Sequence, residues 1–162
     1  MIAAGSVLAL FRWCENTSLG ATLRVSPWLF PVVEAGHLIA LTVFGAAVLL
    51  VDLRLWDLGL RRRSVAEVAR NAQPLLLGSL VVMMITGYML FTAEAQRYYY
   101  NAAFWYKMIF LFFALGFTFT VRRAVIMADQ ARVGPFWGRL VALVSIALWS
   151  GVGIGGKAIG FY

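Results

Sequence analysis

The stretch WLFPVVEAGHLIALTVFGAAVLLVDLRL, residues 28–55, decides how this chain is built. It is almost entirely apolar and is longer than the roughly 20 residues that an α-helix needs to cross the hydrocarbon core of a bilayer. It nevertheless carries Glu34, Asp52 and the only histidine of the chain, His37. Because ionisable side chains are costly at membrane depth, the stretch predicts a membrane helix that bears a functional site.

The whole chain has the composition of a membrane protein. Of its 162 residues, 62% are hydrophobic and only 13% are charged, and the mean hydropathy is +0.84. The net charge of +7 comes from arginines between apolar segments, where membrane topology and anionic lipids account for them. We therefore expect a lipid bilayer, and no nucleic acid, as a partner. The single cysteine, Cys14, excludes an internal disulfide and a cysteine-based metal cluster.

Four apolar segments predict the fold. Residues 1–25 hold too short an apolar run to cross a bilayer, and Phe11 and Trp13 favour a short helix that lies in the headgroup region. We expect one all-α membrane domain over residues 1–162, a four-helix integral membrane bundle with a short N-terminal interfacial helix. The transmembrane helices are predicted at about 28–53, 74–91, 102–121 and 136–154.

The last apolar segment contains glycines at the spacing that lets helices pack closely. Gly151 and Gly155 lie four residues apart, as do Gly156 and Gly160. Small residues at this spacing allow backbones to approach each other within one subunit or between two. We expect a homo-oligomer, and the spacing leaves both kinds of contact open.

Arginines predict the orientation of the bundle in its membrane. The connection between the second and third segments holds only Arg97. Because Lys and Arg accumulate in cytoplasmic loops, both termini are expected to face outward. Asp52 and Arg54 are expected to form an interfacial pair at the inner edge. The arginines assigned to the two inner loops are Arg54, Arg61, Arg62, Arg63, Arg70, Arg122, Arg123, Arg132 and Arg139.

The strongest site candidates are the ionisable residues that fall inside the apolar segments, namely Glu34, His37 and Lys107. His37 lies about nine residues below the outer end of the first helix, and Lys107 about five below that of the third, a depth difference of about 6 Å. These two side chains are expected to converge on one site in the outer leaflet. Glu34, one helical turn from His37, is placed to hydrogen-bond the imidazole and fix its tautomer.

A purely structural interpretation of the same residues stays open. A lone intramembrane histidine can hydrogen-bond across helices, and Glu34 with Lys107 can form a buried ion pair that sets the bundle geometry. In that case the residues would stabilise the helices and bind no cofactor.

Several short motifs carry a resemblance to a known family. The segments GHLIALTVFGAAVLLVDLRL, TGYMLF and FWYKMIFLFFALGFTFTVRR resemble the four-helix membrane superfamily of copper-resistance protein D and HemJ-type protoporphyrinogen oxidase. Within it, the arrangement is most similar to an uncharacterised bacterial four-helix family. The resemblance covers about residues 30–160 and implies that His37 faces a heme or metal and that Lys107 is the lysine at a helix start. It also implies a multi-pass protein of the bacterial inner membrane.

A b-type heme needs one or two axial ligands, partners for its propionates and an apolar slot. We expect His37 to be one ligand, with the other position vacant or filled by His37 of a second copy or by a methionine. Lys107, Arg97 or Tyr88 would stand near the propionates. The predicted function is electron transfer or redox chemistry with a redox partner protein. Alternatives are a copper-binding or copper-transport protein and a non-catalytic accessory subunit. The methionines that could supply a ligand are Met83, Met84 and Met89.

Overall fold

The computed structural model describes residues 2–58, 63–128 and 134–161. Three arginines used in the orientation argument, Arg61, Arg62 and Arg132, lie outside the described residues. The helices are, in chain order, α1 Ile2–Glu15, α2 Ser18–Val25, α3 Leu29–Leu55, α4 Val65–Ala93, α5 Ala95–Tyr100, α6 Ala102–Phe117, a π-helical turn Thr118–Arg122 (the π-turn), α7 Arg123–Met127 and α8 Pro135–Ile159.

Four helical stretches are long and apolar enough to cross a membrane. The first, second and fourth stretches correspond to α3, α4 and α8. The third stretch runs continuously through α6, the π-turn and α7. The all-α four-helix prediction is confirmed for the described residues. The stretches are Leu29–Leu55, Val65–Ala93, Ala102–Met127 and Phe136–Ile159.

The sequence-based boundaries are too short, most of all for the second helix, which begins at Val65 and not at residue 74. Ser64 caps this helix by accepting a hydrogen bond from the Glu67 backbone N–H at 3.1 Å, a capping-box spacing that hydropathy does not detect. Pro74 therefore lies inside α4. The other three helices also extend beyond their predicted C-terminal ends, to Leu55, Met127 and Ile159.

The N-terminal segment forms two helices where one was expected. Thr17 separates them, since its hydroxyl accepts from the Gly20 backbone N–H at 3.3 Å and so caps α2. Arg24 of α2 donates to the Ala93 carbonyl at 3.1 Å and to the Thr92 carbonyl at 3.5 Å, at the C-terminus of α4. Because terminal carbonyls of a helix lack helical partners, Arg24 anchors α2 to the end of the bundle.

The bundle consists of two helix pairs. α3 packs along α4, α6 packs along α8, and contacts between α3 and α8 join the pairs. The core along α3 contains Ala40, Phe44, Ala47, Val48 and Val51, which recur every three or four residues and so share one helical face.

Two ends of the bundle are distinguished below. The terminal end is where α3 and α6 begin and α4 and α8 end, with α1, α2 and α5 packed against it. The arginine-rich end is the opposite one, where α3 ends and α4 and α8 begin. Which end faces the cytoplasm stays a prediction.

Candidate functional site

His37 lies on α3 toward the terminal end and is anchored to α4. Its Nδ1 atom is 2.9 Å from the Thr86 hydroxyl oxygen. That hydroxyl donates its single proton to the Val82 carbonyl at 2.7 Å, as helical threonines commonly do. With its proton on the Val82 carbonyl, Thr86 would accept from His37, and the hydrogen bond of the ring to the Met83 backbone agrees with a ring N–H that faces α4. This tautomer would have its proton on Nδ1 and its lone pair on Nε2.

Gly87 makes room for this ring. A Cβ atom at position 87 would lie 3.2 Å from His37 Cε1 and 3.7 Å from Nδ1. The Nδ1–Cε1 edge of the imidazole thus lies directly against α4. Thr86 and Gly87, adjacent residues of the TGYMLF segment, together set the position and tautomer of His37.

Apart from the Thr86 hydroxyl, the only group of the described residues that hydrogen-bonds the His37 ring is the Met83 backbone, which also belongs to α4. A ring nitrogen that these contacts leave unpaired is accessible from outside the bundle, because no side-chain nitrogen or oxygen in the described part of the chain is both fully buried and unpaired. Half-buried His37 therefore presents an anchored imidazole with an open ligand position.

Lys107 lies on α6, near the same end of the bundle as His37. Its backbone and side chain lie against α8, where Cβ atoms at positions 155 and 156 would come within 3.1 Å of Lys107 Cβ and 3.8 Å of Lys107 Nζ. No described residue pairs with or hydrogen-bonds the ammonium group. Lys107 and His37 lie within electrostatic range of each other, and their convergence on one site stays a prediction.

Glu34 does not make the contact expected of it. The His37 Nδ1 atom bonds to Thr86 of α4, whereas the carboxylate of Glu34 is exposed and lies within electrostatic range of Tyr98 on α5. The two groups point in different directions, because the Nδ1 edge of the His37 ring faces α4 whereas Glu34 lies on the exposed side of α3. An intrahelical tautomer lock by Glu34 is therefore wrong.

The other candidates occupy different surroundings along α4. Tyr88 is 52% exposed, and Met89 is half-buried one turn beyond Thr86. Met83 belongs to the core between α3 and α4, and Met84 is exposed on another face. Whether Tyr88 or Met89 contributes to a cofactor site stays a prediction.

A second polar cluster lies deep in the bundle toward the arginine-rich end, and sequence reasoning missed it. Asp52 accepts from Arg122 Nε at 2.8 Å through Oδ1 and from the Ser145 hydroxyl at 2.6 Å through Oδ2. Arg122 also donates to the Val48 carbonyl at 3.0 Å. Asp52, Arg122 and Ser145, from three different spans, are 0%, 4% and 0% exposed, so the charges are buried but fully bonded.

The π-turn brings Arg122 into this cluster. An α-helix turns about 100° per residue, so residues 114 and 126 would point about 120° apart in a regular helix. The wider π-turn corrects that drift and keeps one face inward. The stripe of buried residues, spaced four apart, is Ala114, Thr118, Arg122 and Ile126.

The expected pair of Asp52 with Arg54 is therefore wrong. Arg54 instead bonds to Asp57 at 3.1 Å and to the Arg63 carbonyl at 2.8 Å, near the helix end. The predicted third span ends at residue 121, so it places Arg122 in a loop instead of in the helix. The four-residue spacing of small or polar residues from 114 to 122 was the available signal.

The arrangement defines a multi-pass four-helix membrane protein with one open and one closed polar cluster. The chain belongs to a family of unknown function, DUF6644, whose profile matches residues 10–162. No curated protein and no solved structure matches the chain. Kinship with copper-resistance protein D and the HemJ-type enzyme stays a prediction.

Metal coordination by several carboxylate, imidazole or thiolate groups finds no support in the described residues. No three His, Cys, Asp or Glu side chains within residues 2–58, 63–128 and 134–161 lie close enough together to hold an ion. A cofactor that brings its own metal would need only the one ligand that His37 offers.

Proposed function

We propose that this protein binds a b-type heme near the outer leaflet, at the terminal end of the bundle, and uses it for electron transfer or redox chemistry. The observation that carries the proposal is the pair of open polar groups, His37 Nε2 and Lys107 Nζ, at membrane depth and within electrostatic range of each other. Lys107 has no partner among the described residues, and the His37 ring bonds only to Thr86 and the Met83 backbone, both on α4.

The imidazole is arranged as a ligand. A histidine that served only to join two helices would be satisfied by protein at both nitrogens, since lipid offers no hydrogen bonds. Here Thr86 accepts from Nδ1–H, which orients the ring and raises the basicity of Nε2, as outer-shell partners of metal-bound histidines do.

The ammonium group of Lys107 is arranged as an anion partner. A lysine charge at membrane depth is costly unless it is compensated, and the described residues supply no carboxylate to it. A heme carries carboxylates on one edge and iron at its centre, so its chemistry fits an open cation beside an open imidazole. When bound, the group would supply reversible one-electron oxidation and reduction.

The residues of the chain would then have distinct tasks. His37 would ligate the iron, Thr86 and Gly87 would orient its ring, and Lys107 would neutralise a carboxylate. His37 is the ninth residue of α3, about 12 Å along the helix from its start, which keeps the site near the surface that a redox partner protein would approach.

The absorption spectrum of the purified protein tests the proposal. A Soret band with reducible α and β bands would support it. Bound copper without a Soret band would favour the copper-binding alternative, and neither would favour the accessory subunit. The latter two results would both overturn the heme proposal.

Two variants separate ligation from charge pairing. His37→Ala should abolish heme binding, whereas Lys107→Met should weaken it about tenfold to a hundredfold, the worth of one charge-assisted hydrogen bond. Lys157→Met is the matched control, because Lys157 is an exposed lysine on α8 at the same, terminal end of the bundle. Equal losses in the control and in Lys107→Met would reject the assigned role of Lys107.

A further inference from the structure

A cavity of about 320 Å³ opens between α4 and the π-turn with α7, toward the arginine-rich end. It is separate from the His37 site, and the proposed function does not use it. Its wall follows α4 from Ser64 to Leu77, about 20 Å along the helix axis.

The cavity is amphipathic along this length. Ser64 and Glu67 at the start of α4 and Met127 at the end of α7 line the part nearest the arginine-rich end. Arg70, Gln73 and Arg123 line the part that follows. Leu77 and Phe119 line the part nearer the middle of the bundle, and both side chains are 41% exposed. A polar end at the surface and an apolar continuation toward the membrane interior match the shape of a lipid.

The side chains that line the cavity carry more positive than negative charge. Arg122 at the wall is bonded to Asp52, and Glu67 is paired with Arg63 at 3.4 Å. Arg70 and Arg123 are exposed, and neither forms an ion pair with another described residue. The cavity therefore presents two uncompensated guanidinium groups, and its one carboxylate is already occupied.

We propose that this cavity is a binding site for an anionic phospholipid, with the phosphate between Arg70 and Arg123 and an acyl chain along Leu77 and Phe119. Guanidinium groups match phosphate geometry, and basic pockets between membrane helices bind anionic headgroups. A zwitterionic headgroup fits less well, because Glu67 is not free to pair with its ammonium group.

Binding of defined lipids to the purified protein in detergent tests the proposal. The probes are dioleoylphosphatidylglycerol, dioleoylphosphatidylcholine and glycerol 3-phosphate, and the readouts are native mass and thermal stability. Phosphatidylglycerol should remain bound and raise the melting temperature, whereas the other two should do neither. Equal effects of the two lipids, or an equal effect of glycerol 3-phosphate alone, would overturn the proposal.

Substitutions locate the lipid on the protein. Arg70→Gln and Arg123→Gln should each weaken phosphatidylglycerol binding about fivefold, the expected share of one arginine near an anionic surface. Arg139→Gln is the matched control, since Arg139 is an exposed arginine of α8 at the same end and does not line the cavity. Leu77→Trp should displace the acyl chain while leaving both arginines in place. A control that weakens binding as much as the cavity variants, or cavity variants that bind normally, would overturn the assignment.

Discussion

The two polar clusters of the bundle differ in whether the protein satisfies them. Asp52 uses both carboxylate oxygens, toward Arg122 and Ser145, and is completely buried. His37 is half-buried and bonds only to Thr86 and the Met83 backbone of one neighbouring helix, within electrostatic range of the unpaired Lys107. A polar group that is satisfied from within fixes helix packing, whereas one left open at membrane depth is suited to an added ligand.

The largest expected effect concerns the closed cluster. Arg122→Leu should lower the free energy of unfolding by about 3–5 kcal/mol, because Asp52 would be left as an uncompensated buried charge. Denaturation in detergent measures it. An exposed arginine that does not line the cavity provides the control, since Arg139→Leu should change stability by less than about 0.5 kcal/mol. Similar results for the two variants would show that the buried pair does not hold the spans together.

The next effect concerns the open cluster. Thr86→Val keeps the side-chain shape but removes the acceptor for His37 Nδ1–H, so heme affinity should fall about tenfold to a hundredfold. Thr120→Val is the control, because the Thr120 hydroxyl is exposed and donates to the Gly116 carbonyl of its own helix. Heme titration of the two variants measures the difference. Unchanged affinity in Thr86→Val would mean that this hydrogen bond does not prepare the imidazole.

A smaller effect concerns the contact between α6 and α8. Gly155→Ala would place a Cβ atom 3.1 Å from Lys107 Cβ and 3.2 Å from its Cα, so it should lower stability by about 1 kcal/mol. Gly153→Ala meets open space and should raise stability by about 0.5–1 kcal/mol through helix propensity. Thermal unfolding that gave both variants the same sign would contradict this close approach.

The last effect is seen only at high pH and lies outside the spans, at Tyr98 of α5. Burial raises the pKa of Tyr98 to about 12, with added repulsion from Glu94 and Glu34 that Arg97 partly offsets. The folded chain thus keeps this proton above the ordinary pKa of about 10, and stability should fall as the pH rises from about 10 to 12.

Tyr98→Phe should flatten this dependence, and Tyr100→Phe, at a tyrosine that is 73% exposed, should leave it unchanged. Denaturation at several pH values across the window measures both slopes. Identical slopes for the wild type and Tyr98→Phe would reject the buried phenol as their cause.

The sequence predicts the four spans, because hydropathy determines which segments can cross a membrane, and the convergence of His37 with Lys107 stays a prediction. It does not predict Thr86 as the partner of His37, since that bond depends on how α3 is rotated against α4. The sequence does not predict the pairing of Asp52 with Arg122 for a related reason. The π-turn changes which face Arg122 occupies, and a regular helical wheel cannot show that change.

The central claim is that the His37 cluster binds heme, whereas the Asp52–Arg122 cluster only fixes helix packing. The heme-to-protein ratio of three forms of the protein tests this claim most directly. These are the wild type, His37→Ala, and the double variant Asp52→Leu with Arg122→Leu, which removes both buried charges and so avoids the unpaired ion. We expect heme in the wild type and the double variant and none in folded His37→Ala. Heme retained by His37→Ala with an unchanged spectrum, or absent from folded wild type, would contradict the account.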